Sequence, residues 1–163
     1  MAWRVVTILM ILAAGLVPPV GTDLLRAFGA DPPTAVRPVP GPVERPFDPP
    51  EHPYGPGHRG VDLAAEPGDP VRAALPGQVH FAGEVAGVGW VSIDHGVGLR
   101  TTYGDLDPRL VSAGQQVQAG TVLGEVAAGA THLDWGAIAD GTYIDPMSLL
   151  GAWEVRLVAP QGT

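Results

Sequence analysis

From Gly57 onward, no apolar stretch of this sequence is long or periodic enough to make an extended helix, and each is bounded by glycine or proline punctuation. The runs Val71–Leu75, Gln78–Val85, Trp90–His95, Leu99–Tyr103, Val122–Ala127 and His132–Ala137 are five to eight residues long, and most carry valine. Short runs of this kind, separated by turn-formers, fold as strands packed side by side. The expected class is therefore all-β, a small antiparallel sheet or sandwich. Apolar and polar residues alternate in Val79-His80-Phe81-Ala82 and Val91-Ser92-Ile93-Asp94, which predicts one dry face and one wet face. Asp145-Pro146 ahead of Met147–Leu150 reads as a single closing helical turn.

The first part of the chain has a different texture. Met1 to Arg4 carry a cation, and Val5 to Val17 form a 13-residue apolar run interrupted only by Thr7. That is the pattern of a secretory signal, and it is short of the roughly 20 residues a membrane span needs. Residues 1–30 are thus expected to be a signal peptide or a membrane anchor, with the bulk of the protein outside the cytoplasm. Of the 18 prolines, 12 lie between Pro18 and Pro56. Residues 31–56 are accordingly expected to be a stiff Pro-rich linker. Residues 57–151 form the predicted β domain and 152–163 a short tail.

Composition narrows the chemistry. A net charge of -8 argues against nucleic acid as a partner, because phosphate binding needs a basic face. All nine cations are Arg. The absence of Lys removes Schiff-base chemistry, a phosphate-loop lysine and any lysyl-linked carrier hairpin. The absence of Cys removes disulfides, a thiol nucleophile and thiolate-bound zinc. A metal site here has only His and carboxylate ligands to draw on.

Five histidines are available. His52 falls in the linker, His80 is expected to face solvent, and His95 reads as a turn cap before Gly96. His58 and Asp62 sit in His-Arg-Gly-Val-Asp. On a straight strand their Cα atoms would be about 13 Å apart, so they share a ligand only if the chain bends at Arg59-Gly60. His132 and Asp134 lie two apart on a predicted strand and share a face, with Leu133 on the other. That pair suits either the rim of a polar site or a hydrogen-bonded pair on a solvated surface.

The words HRGVDLAAEPGDPVRAALPGQVHFAG, VSIDHGVGLRTTYGDLD, VSAGQQVQAGTVLGEV, HLDWGA and IDPMSLLG follow one another between His58 and Gly151. In order and spacing this stretch resembles the M23 zinc metallopeptidases, the LytM/lysostaphin-like domains that cut peptide bridges in bacterial peptidoglycan. The resemblance implies an antiparallel sheet with a groove over one face and a single zinc ion. His58 and Asp62 match two of the family's metal ligands, and His132 matches its catalytic His. Asp134 stands where the family has its third ligand, a His. Asp105, in Tyr103-Gly104-Asp105-Leu106, stands where it has a second active-site His. By resemblance, then, His58, Asp62 and Asp134 are the metal ligands. His132 and Asp105 are the catalytic candidates, and Tyr103 lines the groove. A ligand set of one His and two Asp leaves bound zinc formally neutral rather than +1, which weakens its acidifying effect on water. The expected function is a zinc-dependent endopeptidase acting on peptidoglycan peptides with an altered site. The alternative is a non-catalytic module that binds wall peptides or regulates a cell-wall hydrolase.

Overall fold

The computed structural model describes residues 34–52 and 55–151. They form eleven strands and one short 3₁₀ turn: β1 (Val43–Arg45), β2 (Gly60–Ala64), β3 (Pro70–Arg72), β4 (Gly77–Val85), β5 (Val88–Asp94), β6 (Leu99–Gly104), β7 (Leu106–Arg109), β8 (Gln116–Val117), β9 (Val122–Val126), β10 (His132–Ala139), β11 (Thr142–Ile144) and η1 (Pro146–Leu150). The all-β class holds, and every strand pairing is antiparallel. The larger sheet runs β1-β2-β10-β6-β5-β4-β8, with β11 on β10; a second sheet runs β3-β9-β7.

The core is made by one side of the central strands. Leu133, Trp135 and Ala137 of β10 are fully buried, as are Leu63 of β2, Ile93 of β5 and Tyr103 of β6. Strand alternation sends His132, Asp134 and Gly136 to the opposite face of the sheet. The turn after β11 is the one the sequence predicts: the Asp145 carboxylate accepts from the Met147 amide at 2.9 Å, with Pro146 in the first turn.

A local expectation fails. The alternation predicted through Val79–Ala82 breaks at a bulge between Val79 and Phe81, so Val79 is buried while Phe81 is 39% exposed. His80 does face solvent.

The expected linker over 31–56 is the larger correction. From Thr34 to His52 this stretch is part of the folded domain. Val39 is 1% exposed in the core, with Ala35 and Phe47 packed against it. Proline lacks an N–H but keeps its carbonyl. Pro38 O accepts from the Arg72 amide, Pro42 O from the Ala64 amide, and Pro46 O from the His58 ring. β1 sits at the sheet edge, where proline-rich chain is tolerated. The signal or anchor expected over 1–30 and the tail over 152–163 lie outside the described residues. Among the described residues, no helix is long and apolar enough to cross a membrane.

Candidate metal centre and groove

Strand register brings the predicted ligands together. β2 and β10 pair so that Asp62 is directly opposite Asp134, with Gly60 opposite Gly136. A Cβ on Gly60 would stand 2.6 Å from Trp135 O and 3.1 Å from Asp134 Oδ1, so only glycine lets the chain pass this close to β10. His58 is held just before β2 by a bridge to Asp48. The bend needed between His58 and Asp62 is therefore present, and His58 Nε2 lies 3.0 Å from Asp62 Oδ1. One ligand atom from each of His58, Asp62 and Asp134 lies within 4.8 Å of the others.

The donor chemistry of this cluster fits a metal ion. His58 Nδ1 lies 2.9 Å from Pro46 O, which can only accept, so this nitrogen carries the proton. The other ring nitrogen, Nε2, is the one that faces the Asp62 oxygen. One imidazole nitrogen and two carboxylates converging on one point make a donor set that a divalent cation can use. Burial, then the Asp62 carboxylate, holds the Asp134 carboxyl above its ordinary value, while His58 pulls it the other way. A carbonyl on the far nitrogen of a ligating His is the usual way a protein fixes ring tautomer and orientation.

His132 and Asp105 stand beside this cluster. His132 Nε2 is 3.9 Å from Asp105 Oδ2, and both side chains are about one-third exposed. Asp105 follows β6 with φ at +61°, a left-handed conformation uncommon for a residue with a side chain. His132 shares the Asp134 face of β10, as the sequence predicts.

Tyr103 does not line the groove; here the expectation is corrected. Its ring is fully buried, opposite Trp135 on the core face of β6. Its hydroxyl accepts from the Ala74 amide at 2.9 Å and lies 3.0 Å from Thr101 Oγ1. Burial pushes this hydroxyl up to about 12. The residues of β6 that alternate with it, Thr102 and Gly104, take the other face. His95 is not a turn cap either: the Asp94 carboxylate caps the Gly96 amide. The His95 ring instead joins Pro76 O, at 2.8 Å, to Thr101 Oγ1, at 2.7 Å.

A cavity of about 250 Å³ lies against the metal cluster, lined among others by His58, Asp134, Trp90, Thr102, Ile138 and Tyr143. The Arg59 guanidinium lies 5.7 Å from the centre of the Tyr143 ring. Trp90 and Tyr143 are the groove residues that the sequence reading missed. Trp90 falls in a run read simply as strand, and β11 is too short to register as periodic.

Residues 56–146, more than half of the chain, match peptidase family M23. The chain belongs to that family. It is 45% identical over 132 residues to the protein Rv2891 of Mycobacterium tuberculosis, covering 75% of this chain and 52% of the relative. It is 35% identical over 97 residues to the DD-carboxypeptidase/endopeptidase Mpg of Neisseria meningitidis, covering 56% of this chain and 22% of that protein. The chain thus spans about half the length or less of these relatives. The M23 domain also superposes on a zinc-containing peptidase from Vibrio cholerae with a TM-score of 0.58, at 27% identity over 69% of this chain and 36% of the other.

Proposed function

We propose that this M23 domain is a zinc-dependent endopeptidase acting on peptidoglycan peptides outside the cytoplasm. The observation that carries the reading is the convergence of three possible ligand atoms, from His58, Asp62 and Asp134, within 4.8 Å of one another. His58, Asp62 and Asp134 would hold the ion, in a set that carboxylate oxygen can enter alongside imidazole. When bound, zinc supplies a Lewis acid that polarises a carbonyl and acidifies water.

The remaining roles belong to the chain. His132, beside the ligands and partly exposed, takes a proton from the attacking water and returns it to the leaving amine. Asp105 orients His132 through the 3.9 Å contact. The groove face of Gly60 and Gly136 admits a peptide backbone close to the sheet, and Trp90 and Tyr143 flank it. The names of the relatives, a carboxypeptidase/endopeptidase and a zinc peptidase, favour the same chemistry.

One observation favours a second reading, a module that binds wall peptides or regulates a wall hydrolase without cutting. An ionised Asp105 can only accept hydrogen bonds, so it repels the oxyanion that a donor at its position would stabilise. Purified sacculi incubated with the zinc-loaded protein distinguish the two. The peptidase releases new peptide amino groups, lost on chelation and in His132→Ala. Binding to sacculi with no release at any zinc level supports the second reading.

A further inference from the structure

Of the three converging ligands, Asp62 and Asp134 sit inside β2 and β10, where sheet register places them opposite each other. His58 does not share that support. It precedes β2, and its main chain is tied instead to the Pro-rich stretch ahead of it. The His58 amide donates to Asp48 O at 2.6 Å, and the Asp48 amide donates to His58 O at 2.9 Å. The ring is tied to the same short segment, with Nδ1 donating to Pro46 O at 2.9 Å. Residues 46 and 48 thus hold His58 by main chain and ring together. Between them stands Phe47, the one residue from Pro42 to Pro49 that is not exposed, and it packs against the core. We infer that Phe47 is a positioning residue for the metal centre: anchored in the core, it keeps Pro46 O and Asp48 where they aim the His58 ring. The inference takes from the proposed function only that the ligand is a zinc ion, and the grip on the ring exists in the metal-free chain as well.

Local chain chemistry lets one side chain do this. Pro46, Pro49 and Pro50 each fix their own φ, so the segment around Phe47 has little freedom with which to absorb a displacement. Gly57 allows the close approach: a Cβ there would stand 2.6 Å from Asp48 O and 2.8 Å from Pro50 N. A ring released from Pro46 O turns about its side-chain bonds and loses the aim of Nε2. Loss of such a partner costs a ligating His about 10–100-fold in metal affinity. Phe47 and its two neighbours lie ahead of residue 56, where the M23 match begins, so the device belongs to the strap and not to the matched stretch.

The test joins two readouts on the intact chain: zinc affinity, by competition with a chelator, and the His58 ring resonances of the metal-free protein. Phe47→Ala should weaken zinc binding about tenfold or more and release the Nδ1–H, whose signal is then lost to exchange with water. Phe47→Leu, which keeps an apolar anchor, should restore both. Val39→Ala removes packing from the same strap away from Pro46, and should leave zinc affinity and the ring signal unchanged. Gly57→Ala, which parts Asp48 from His58 with Phe47 intact, should reproduce the loss, and it carries the test if Phe47→Ala does not fold. Val39→Ala weakening zinc as much as Phe47→Ala, or an unchanged Nδ1–H signal in Phe47→Ala, overturns the inference. A wild-type chain that binds zinc no more tightly than Phe47→Ala overturns the positioning role and leaves the peptidase reading. A wild-type chain that binds no zinc, yet loses the Nδ1–H signal in Phe47→Ala and keeps it in Val39→Ala, supports the positioning role and overturns the peptidase reading.

Discussion

Asp134 shows most clearly what a site residue costs the fold. Its carboxyl is pushed up by burial and by Asp62, so the folded domain holds this group's charge less readily than the unfolded chain does. Stability of the metal-free domain is therefore reduced by this group as pH rises from the ordinary carboxylate value through the raised one. Asp134→Asn should raise the melting temperature of the metal-free protein at neutral pH while abolishing zinc binding. Calorimetry with and without zinc reads both effects. Asp134→His with Asp105→His should tighten zinc binding through the first change and raise any cleavage through the second, which puts a hydrogen-bond donor where an ionised carboxylate can only accept; a zinc titration and the sacculus assay check it. Tyr103 behaves as a core residue. Tyr103→Phe leaves the Ala74 amide without its acceptor and should cost about 1–3 kcal/mol in denaturant unfolding. A groove-lining role would instead leave stability unchanged and alter cleavage. His58, Asp62, Asp134 and His132 were legible from spacing and family resemblance. Tyr103 was not, because a motif word gives the order of residues but not which face of β6 each one takes.

At the scale of elements, the runs read as strands correspond to β3, β4, β5, β6, β9 and β10. Those missed are short, such as β8 and β11, or begin in glycine-rich chain, as β2 does. The Pro-rich stretch was misread for a physical reason. Proline density signals lost donors, and that argues for a spacer, but the carbonyls of Pro38, Pro42 and Pro46 remain acceptors and are all used. This strap therefore supports the metal cluster through His58. Val39→Ala, removing two buried methyl groups, should cost about 2 kcal/mol. A free spacer would show no change in the same unfolding curve.

Across the whole domain, the polar line from Pro76 through His95 and Thr101 to Tyr103 and Ala74 ties the β3–β4 connection to the sheet. Burial holds the His95 ring below its ordinary value, against the opposing pull of Pro76 O and Asp94. The unfolded chain therefore takes up this proton first, and the fold loses stability as pH falls below about 6.5. His95→Gln should flatten that part of the stability–pH profile. The central claim is nonetheless the one made by His58, Asp62 and Asp134, three side chains from two regions of the chain that meet around one point. Metal analysis of the intact protein after equilibration with micromolar zinc tests it most directly. The account predicts one zinc per chain, removed by chelator and absent in Asp62→Asn. A chain that folds normally and carries no zinc, or carries it equally in Asp62→Asn, would contradict it.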